Sequence, residues 1–292
     1  MNATGKVGFL ATFAAFFIWG VSPVYFKYLP PVTALEVSFH RAIWACLLVG
    51  VLLLATGRFA EVRALLGKPK ILAVLAITSV MVAFNWFAFA WAAMNEHIAQ
   101  ASLGYFINPL VNVLLGFVFL QERLNRLRWL AIGLAALGVL NQIVIVGAVP
   151  WLALSLALTF GIYGLLRKIV KAEAGPGLFV ETLMLSPFLL IGIFWLQSTG
   201  QGHFVGAGLL APFLLIFGGL LTAIPLFLFA FGARRLDLAT VGLIQYIAPS
   251  LQFFFAIWYG EAFTAQSIIT FVLIWAALAL YSWDLIRKKS AI

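Results

Sequence analysis

Apolar residues gather along this chain in long runs, and the breaks between the runs hold most of its charges, glycines and prolines. An α-helix rises about 1.5 Å per residue, so about 20 predominantly apolar residues carry it across a hydrocarbon layer about 30 Å thick. Ten runs meet that length, at about 8–29, 35–56, 71–95, 98–119, 127–146, 149–169, 177–198, 208–231, 239–258 and 265–286. The pattern predicts an all-α, polytopic membrane protein with ten transmembrane helices. Connections such as NEHI (95–98) and GAVP (147–150) are too short for periodicity alone to divide the helices beside them. Charge does the dividing.

Of the 18 Lys and Arg, 16 fall at alternate connections and at the two ends: Lys6; Arg58, Arg63, Lys68 and Lys70; Arg123, Arg126 and Arg128; Arg167, Lys168 and Lys171; Arg234 and Arg235; Arg287, Lys288 and Lys289. NEHI, GAVP, QSTGQGHFVGAG (197–208) and YGEAFT (259–264) hold none. Cytoplasmic segments retain Lys and Arg, so the alternation predicts ten spans with both termini cytoplasmic. The two remaining cations are Lys27, at the far end of the first run, and Arg41, within the second.

Composition agrees: 64% of the residues are hydrophobic, 9% are charged and the mean hydropathy is +1.11. A net charge of +9 would suggest nucleic acid in a soluble chain; here it follows from topology, and the expected surroundings are a lipid bilayer with no nucleic-acid partner. The single cysteine, Cys46, excludes an intramolecular disulfide and a multi-cysteine metal site. The first run is long and lacks a small-residue cleavage pattern, so it is expected to be a retained span rather than a leader.

The two halves of the chain repeat each other. Aligning SLGYFINPLVNVLLGFVFLQER (102–123) with GLIQYIAPSLQFFFAIWYGEA (242–262) on Pro109 and Pro249 also brings FAFAWAA (87–93) onto FLFAFGA (227–233) and, with a one-residue slip, Glu122 onto Glu261. Earlier, FFIWG (16–20) meets FGIYG (160–164), and Glu36 meets Glu181. Each half holds five predicted spans, so the second must enter the membrane from the opposite side, giving two inverted five-helix repeats, 1–147 and 148–292. Inverted repeats suit alternating access, because the two copies can exchange conformations. Pro109 and Pro249 each remove a backbone donor and predict a helix kink, tolerable in a bilayer only where other groups satisfy the freed carbonyls.

These segments, with PWLALSLALTFGIYGLLRK (150–168) and HRAIW (40–44), resemble the RarD branch of EamA-type transporters in the drug/metabolite transporter superfamily, over nearly the whole chain. The resemblance implies an inner-membrane permease with spans 1–4 and 6–9 around a central cavity and spans 5 and 10 at the periphery. It is similar to exporters of amino acids, drugs and other small metabolites; the branch name reflects a proposed link to chloramphenicol.

Polar residues within apolar spans are the candidates for a substrate path. Tyr105, Asn108 and Asn112 share a helical face in the fourth span, and Gln245, Tyr246 and Gln252 surround Pro249 in the ninth. Trp19, His40, Arg41, Asn85, Trp86 and Tyr163 complete the set. The alternative reading is that such amides join helices to one another, and that Arg41 snorkels to the interface. Lys27 with Glu36, and Arg167, Lys168 or Lys171 with Glu181, flank equivalent connections in the two repeats; Lys27, Glu36, Arg167 and Glu181 are candidate gates or coupling residues. Coupling by a proton or by the substrate's own gradient is open, as is a homodimer. No cofactor or metal is expected: the chain has no GxxxxGK[ST] loop, and His40, His97 and His203 show no HExxH spacing. A non-transporting sensor or scaffold, and less so an intramembrane enzyme, remain alternatives.

Overall fold

The computed structural model describes residues 3–30, 32–94, 98–146, 151–206, 208–258 and 265–287. Asn95 to His97 of NEHI, the GAVP and YGEAFT segments, Glu261, Lys288 and Lys289 lie outside them. The described residues form helices: α1 (Ala3–Lys27), α2 (Ala34–Ala55), α3 (Phe59–Leu66), α4 (Pro69–Met94), α5 (Ile98–Leu120), α6 (Arg126–Val146), α7 (Trp151–Ile169), α8 (Ala174–Ser198), α9 (Leu210–Ala233), α10 (Leu238–Gln245), α11 (Ile247–Trp258) and α12 (Ala265–Arg287). Seven of them are long and apolar enough to cross a membrane, and shorter apolar stretches, 104–120 and 268–281, lie within α5 and α12. The protein is all-α and polytopic.

Among the described residues each apolar run is mainly helical, with two departures from the sequence reading. The ninth run breaks at Tyr246 into α10 and α11. Pro249 then stands in the first turn of α11, where the N–H it lacks would have no helical partner. Pro109, by contrast, lies inside an unbroken α5, as Pro23, Pro187 and Pro225 do inside α1, α8 and α9. The second departure is α3, only eight residues, whose Val62 and Leu65 turn into the core while Arg58 and Glu61 pair at 2.6 Å on its surface.

The helices pack mainly across the two halves of the chain. α1 and α2 lie on α9, α2 also on α8, α4 and α5 on α7, and α5 on α10. One buried cluster joins α1, α2, α4, α7, α8 and α9 through residues such as Phe16, Val49, Leu75, Tyr163, Leu178 and Phe229. α6 and α12 pack on each other, and a second cluster, with Ala135, Ile274 and Tyr281, fixes them beside α5 and α10. Small residues permit the closest approaches: a Cβ on Gly219 of α9 would lie 2.3 Å from that of Trp44 on α2. Leu54, Phe188, Ile191 and Phe194 face outward, as lipid-facing positions do.

Candidate functional site

α1 places Phe16, Trp19, Ser22 and Phe26 at spacings of three and four, on one face. Opposite stand Asn85, Trp86 and Phe89 of α4, Tyr105 of α5 and Phe160 of α7. Between them lies a cavity of about 50 Å³, closed by Arg41, Gln245 and Ala248. Its walls are interlocked rings: Trp19 meets Phe160 edge-on at 5.6 Å, and Phe89 meets Tyr105 at 5.4 Å. Gln245 ends α10 and Ala248 stands in the first turn of α11, so the helix break lies at the cavity.

Arg41 stands on the second turn of α2, buried, with its Nε donating to Thr222 Oγ1 on α9 at 2.8 Å. Its guanidinium lies 5.6 Å from the Phe26 ring centroid. A guanidinium in a bilayer-spanning helix costs about 2.5–3.5 kcal/mol on insertion scales, relieved by polar partners or a hydrated cavity. Arg41 has both.

The remaining polar candidates form a buried network beside the cavity. Asn108 donates to the Ala157 carbonyl at 2.6 Å, and Asn112 donates to Asn108 and to Gln245, each at 3.1 Å. Asn85 lines the cavity while its amide donates to the Leu156 carbonyl and Thr159. Tyr246 is buried and donates to the Phe106 carbonyl, a contact between helices rather than a cavity wall. Gln252 is half-buried on α11, away from the cavity. His40 also stands apart: its ring stacks on Phe204 at 4.6 Å, and both ring nitrogens are buried without a partner among the described residues.

The acidic candidates are buried too. Glu36, near the start of α2, accepts from the His203 backbone N–H and faces His203 Nδ1 at 3.0 Å. Its partner thus comes from the connection before α9, whereas Lys27, which the sequence pairs with it, is exposed at the end of α1. Glu181 has Arg167 Nε at 3.6 Å, accepts from Thr78 at 2.6 Å and from Tyr163 at 3.5 Å, and both charged groups are fully buried. The pair is thus part of the buried interior, and it takes Tyr163 away from the cavity.

Glu122 closes a further contact at the end where the cations gather. Gln121 takes a left-handed φ of 54°, turning the chain so that Glu122 accepts from the Leu238 and Ala239 backbone N–H groups at 2.7 and 3.1 Å. A carboxylate there satisfies the free donors of α10 and complements its dipole. Gly116 makes room, since a Cβ on it would lie 2.6 Å from Glu122 Oε2. Lys168 approaches the same carboxylate at 3.9 Å and donates to the Leu236 and Ala233 carbonyls. Arg128 pairs with Asp284 at 2.9 Å, and Arg234 with Glu173 at 2.9 Å. These contacts bind together the segments that carry the cations.

Trp19, Arg41, Asn85, Trp86, Tyr105 and Gln245 therefore meet in one cavity, with Asn108 and Asn112 behind Gln245. Sequence reasoning missed Phe16, Ser22, Phe26, Phe89, Phe160 and Ala248 in its wall, Thr222 on Arg41, and Thr78 on Glu181. Spacing from Trp19 by three and seven carries a signal for Ser22 and Phe26; nothing local marks the threonines.

The model of the EamA-like transporter family matches residues 6–142. The chain is 44% identical, over 98% of its length and 95% of the relative's, to a Vibrio cholerae protein described as an uncharacterized transporter. It is 45% identical to Protein RarD of Salmonella typhi, over 97% of this chain and 98% of that one. A Pseudomonas aeruginosa protein named chloramphenicol-sensitive protein RarD is 33% identical over 99% of both chains. A crystal structure at 19% identity shares the fold, with a TM-score of 0.72 over 97% of this chain and 98% of that one.

Proposed function

This chain belongs to the EamA-like transporter family, as a RarD-like secondary transporter of small molecules, and from that premise we propose that it exports a metabolite or drug-like compound by alternating access. The observation that carries the proposal is the cavity, bounded by α1, α2, α4 and α5 from the first half and α7, α10 and α11 from the second. A substrate held there touches both halves, so its binding can bias their relative arrangement. The break between α10 and α11 lies where secondary transporters commonly place discontinuous helices, at the binding site.

Ten spans in two inverted repeats, 1–147 and 148–292, with both termini on the cytoplasmic side of the cytoplasmic membrane, fit this mechanism. Counting α10 and α11 as one interrupted span and α3 as a surface helix gives ten, and the alternation of basic connections supports the orientation. The peripheral places of α6 and α12 support the reading that the other spans surround the path. Under this topology, the Glu122 cap and the Arg167–Glu181 pair lie toward the cytoplasmic mouth, and Glu36–His203 toward the outer one; these are the proposed gates.

The test is solute flux in proteoliposomes with a panel of aromatic amino acids, other small metabolites and chloramphenicol. At least one compound should move faster than in protein-free vesicles, and Trp19→Ala should slow it. Flux equal to that of empty vesicles across the panel would favour a sensor or scaffold.

A further inference from the structure

The geometry points to a substrate that carries an organic oxyanion, a carboxylate or its equivalent, on a flat apolar body, with the negative charge seated at Arg41. The inference rests on the reading of the cavity as the substrate path and names what that path selects.

Arg41 is the one charged residue in the cavity wall among the described residues. It is 8% exposed, and its hydrogen bond to Thr222 engages Nε alone of its five N–H donors. No described carboxylate pairs with it. The acidic groups nearest in sequence or by repeat are committed elsewhere, Glu36 to His203 and Glu181 to Arg167. Among the described residues no carboxylate therefore compensates the positive charge in the cavity, and the remaining face of the guanidinium matches an oxyanion in the two-pronged geometry arginine favours.

Two further groups extend the match. The Gln245 side-chain carbonyl is taken by Asn112, which leaves its N–H2 end as the free half at the cavity. Tyr105 belongs to the same wall. Asn85 and Ser22 spend their donors on Leu156, Thr159 and Trp19 and bring acceptor oxygens to the wall, so the choice of an anion rests on the Arg41 charge, and a cation would meet no described counter-charge there. The apolar walls, Trp19, Trp86 and Phe160, present ring faces and edges suited to a flat body.

The full-length protein in detergent, carrying Ser22→Cys in the cavity wall, tests this with two methanethiosulfonates of similar size. One bears an anionic sulfonatoethyl group, the other a cationic trimethylammonioethyl group. Each modification rate is divided by that of the same reagent with a free thiol, and the parent protein with Cys46 alone gives the background. The expected result is a preference of about tenfold for the anionic reagent, as a focused charge in a cleft produces. Arg41→Gln should abolish it and Arg41→Lys should keep it. Equal normalised rates with Arg41 present, or a preference that survives Arg41→Gln, would overturn the anion site and leave transport standing. Should Arg41→Gln not fold, the ratio measured with Arg41 present still decides. Failure of both reagents to react would overturn the cavity as a hydrated path, and the transport reading with it.

Discussion

Asn112 on α5 donates to the side-chain carbonyl of Gln245 on α10 at 3.1 Å, joining residues 133 positions apart. The polar stripes of the two halves thus form one buried chain, Ala157 carbonyl to Asn108 to Asn112 to Gln245, whose far end reaches the cavity. Its members should respond differently to loss. Asn108→Leu strands a buried carbonyl and should cost about 1–3 kcal/mol, seen as a lowered melting temperature in detergent. Gln245→Leu, at the cavity end, should reduce flux by a larger factor than Asn108→Leu does among the protein that remains folded.

The Arg167–Glu181 pair predicts a non-additive pattern. Both side chains are fully buried, and removing one partner of such a pair typically costs about 3–5 kcal/mol, whereas replacing both by apolar groups of similar volume is often nearly neutral. Glu181→Leu and Arg167→Met should each lower the melting temperature strongly, and the double variant should recover most of the loss. A double variant as unstable as the sum of the singles would show that the two do not act as a pair.

Glu122 should hold α5 to the start of α10. Glu122→Ala removes a cap worth about 0.5–2 kcal/mol, so amide exchange at Leu238 and Ala239 should quicken. Gly116→Ala, which crowds the same carboxylate, should have a like effect although it removes no polar group.

Topology is testable by impermeant thiol labelling. Ser198 and Ala64 are both exposed; Ser198→Cys should react from the outer face of intact cells and Ala64→Cys only after the membrane is opened. Labelling of both from one face would exclude the ten-span arrangement.

Helices were legible because their apolar runs exceed the thickness of a bilayer, a constraint that needs no tertiary information. The likeness of the two halves, Pro109 with Pro249 and Glu36 with Glu181, was visible in the sequence because it needs only the order of residues along the chain. Partners were not. Glu36 meets His203 across 167 residues, and Arg41 meets Thr222 across 181; each is decided by which helices pack. The setting of Glu181 follows likewise from α4, which brings Thr78 to it, and α7, which brings Tyr163 and Arg167. α3 was missed because it is short and partly charged, and the break at Tyr246 because Pro249 reveals a weakened helix without saying whether it kinks or parts.

The central claim, that the cavity is reached alternately from the two sides of the membrane, is tested most directly by one cysteine within it. With Ser22→Cys in vesicles of each orientation, an impermeant thiol reagent added outside should modify the residue in right-side-out vesicles and, separately, in inside-out ones. The parent protein carrying only the buried Cys46 should stay unmodified in both. Reaction from both faces is the result expected of alternating access; reaction from one face alone, or from neither, would contradict it.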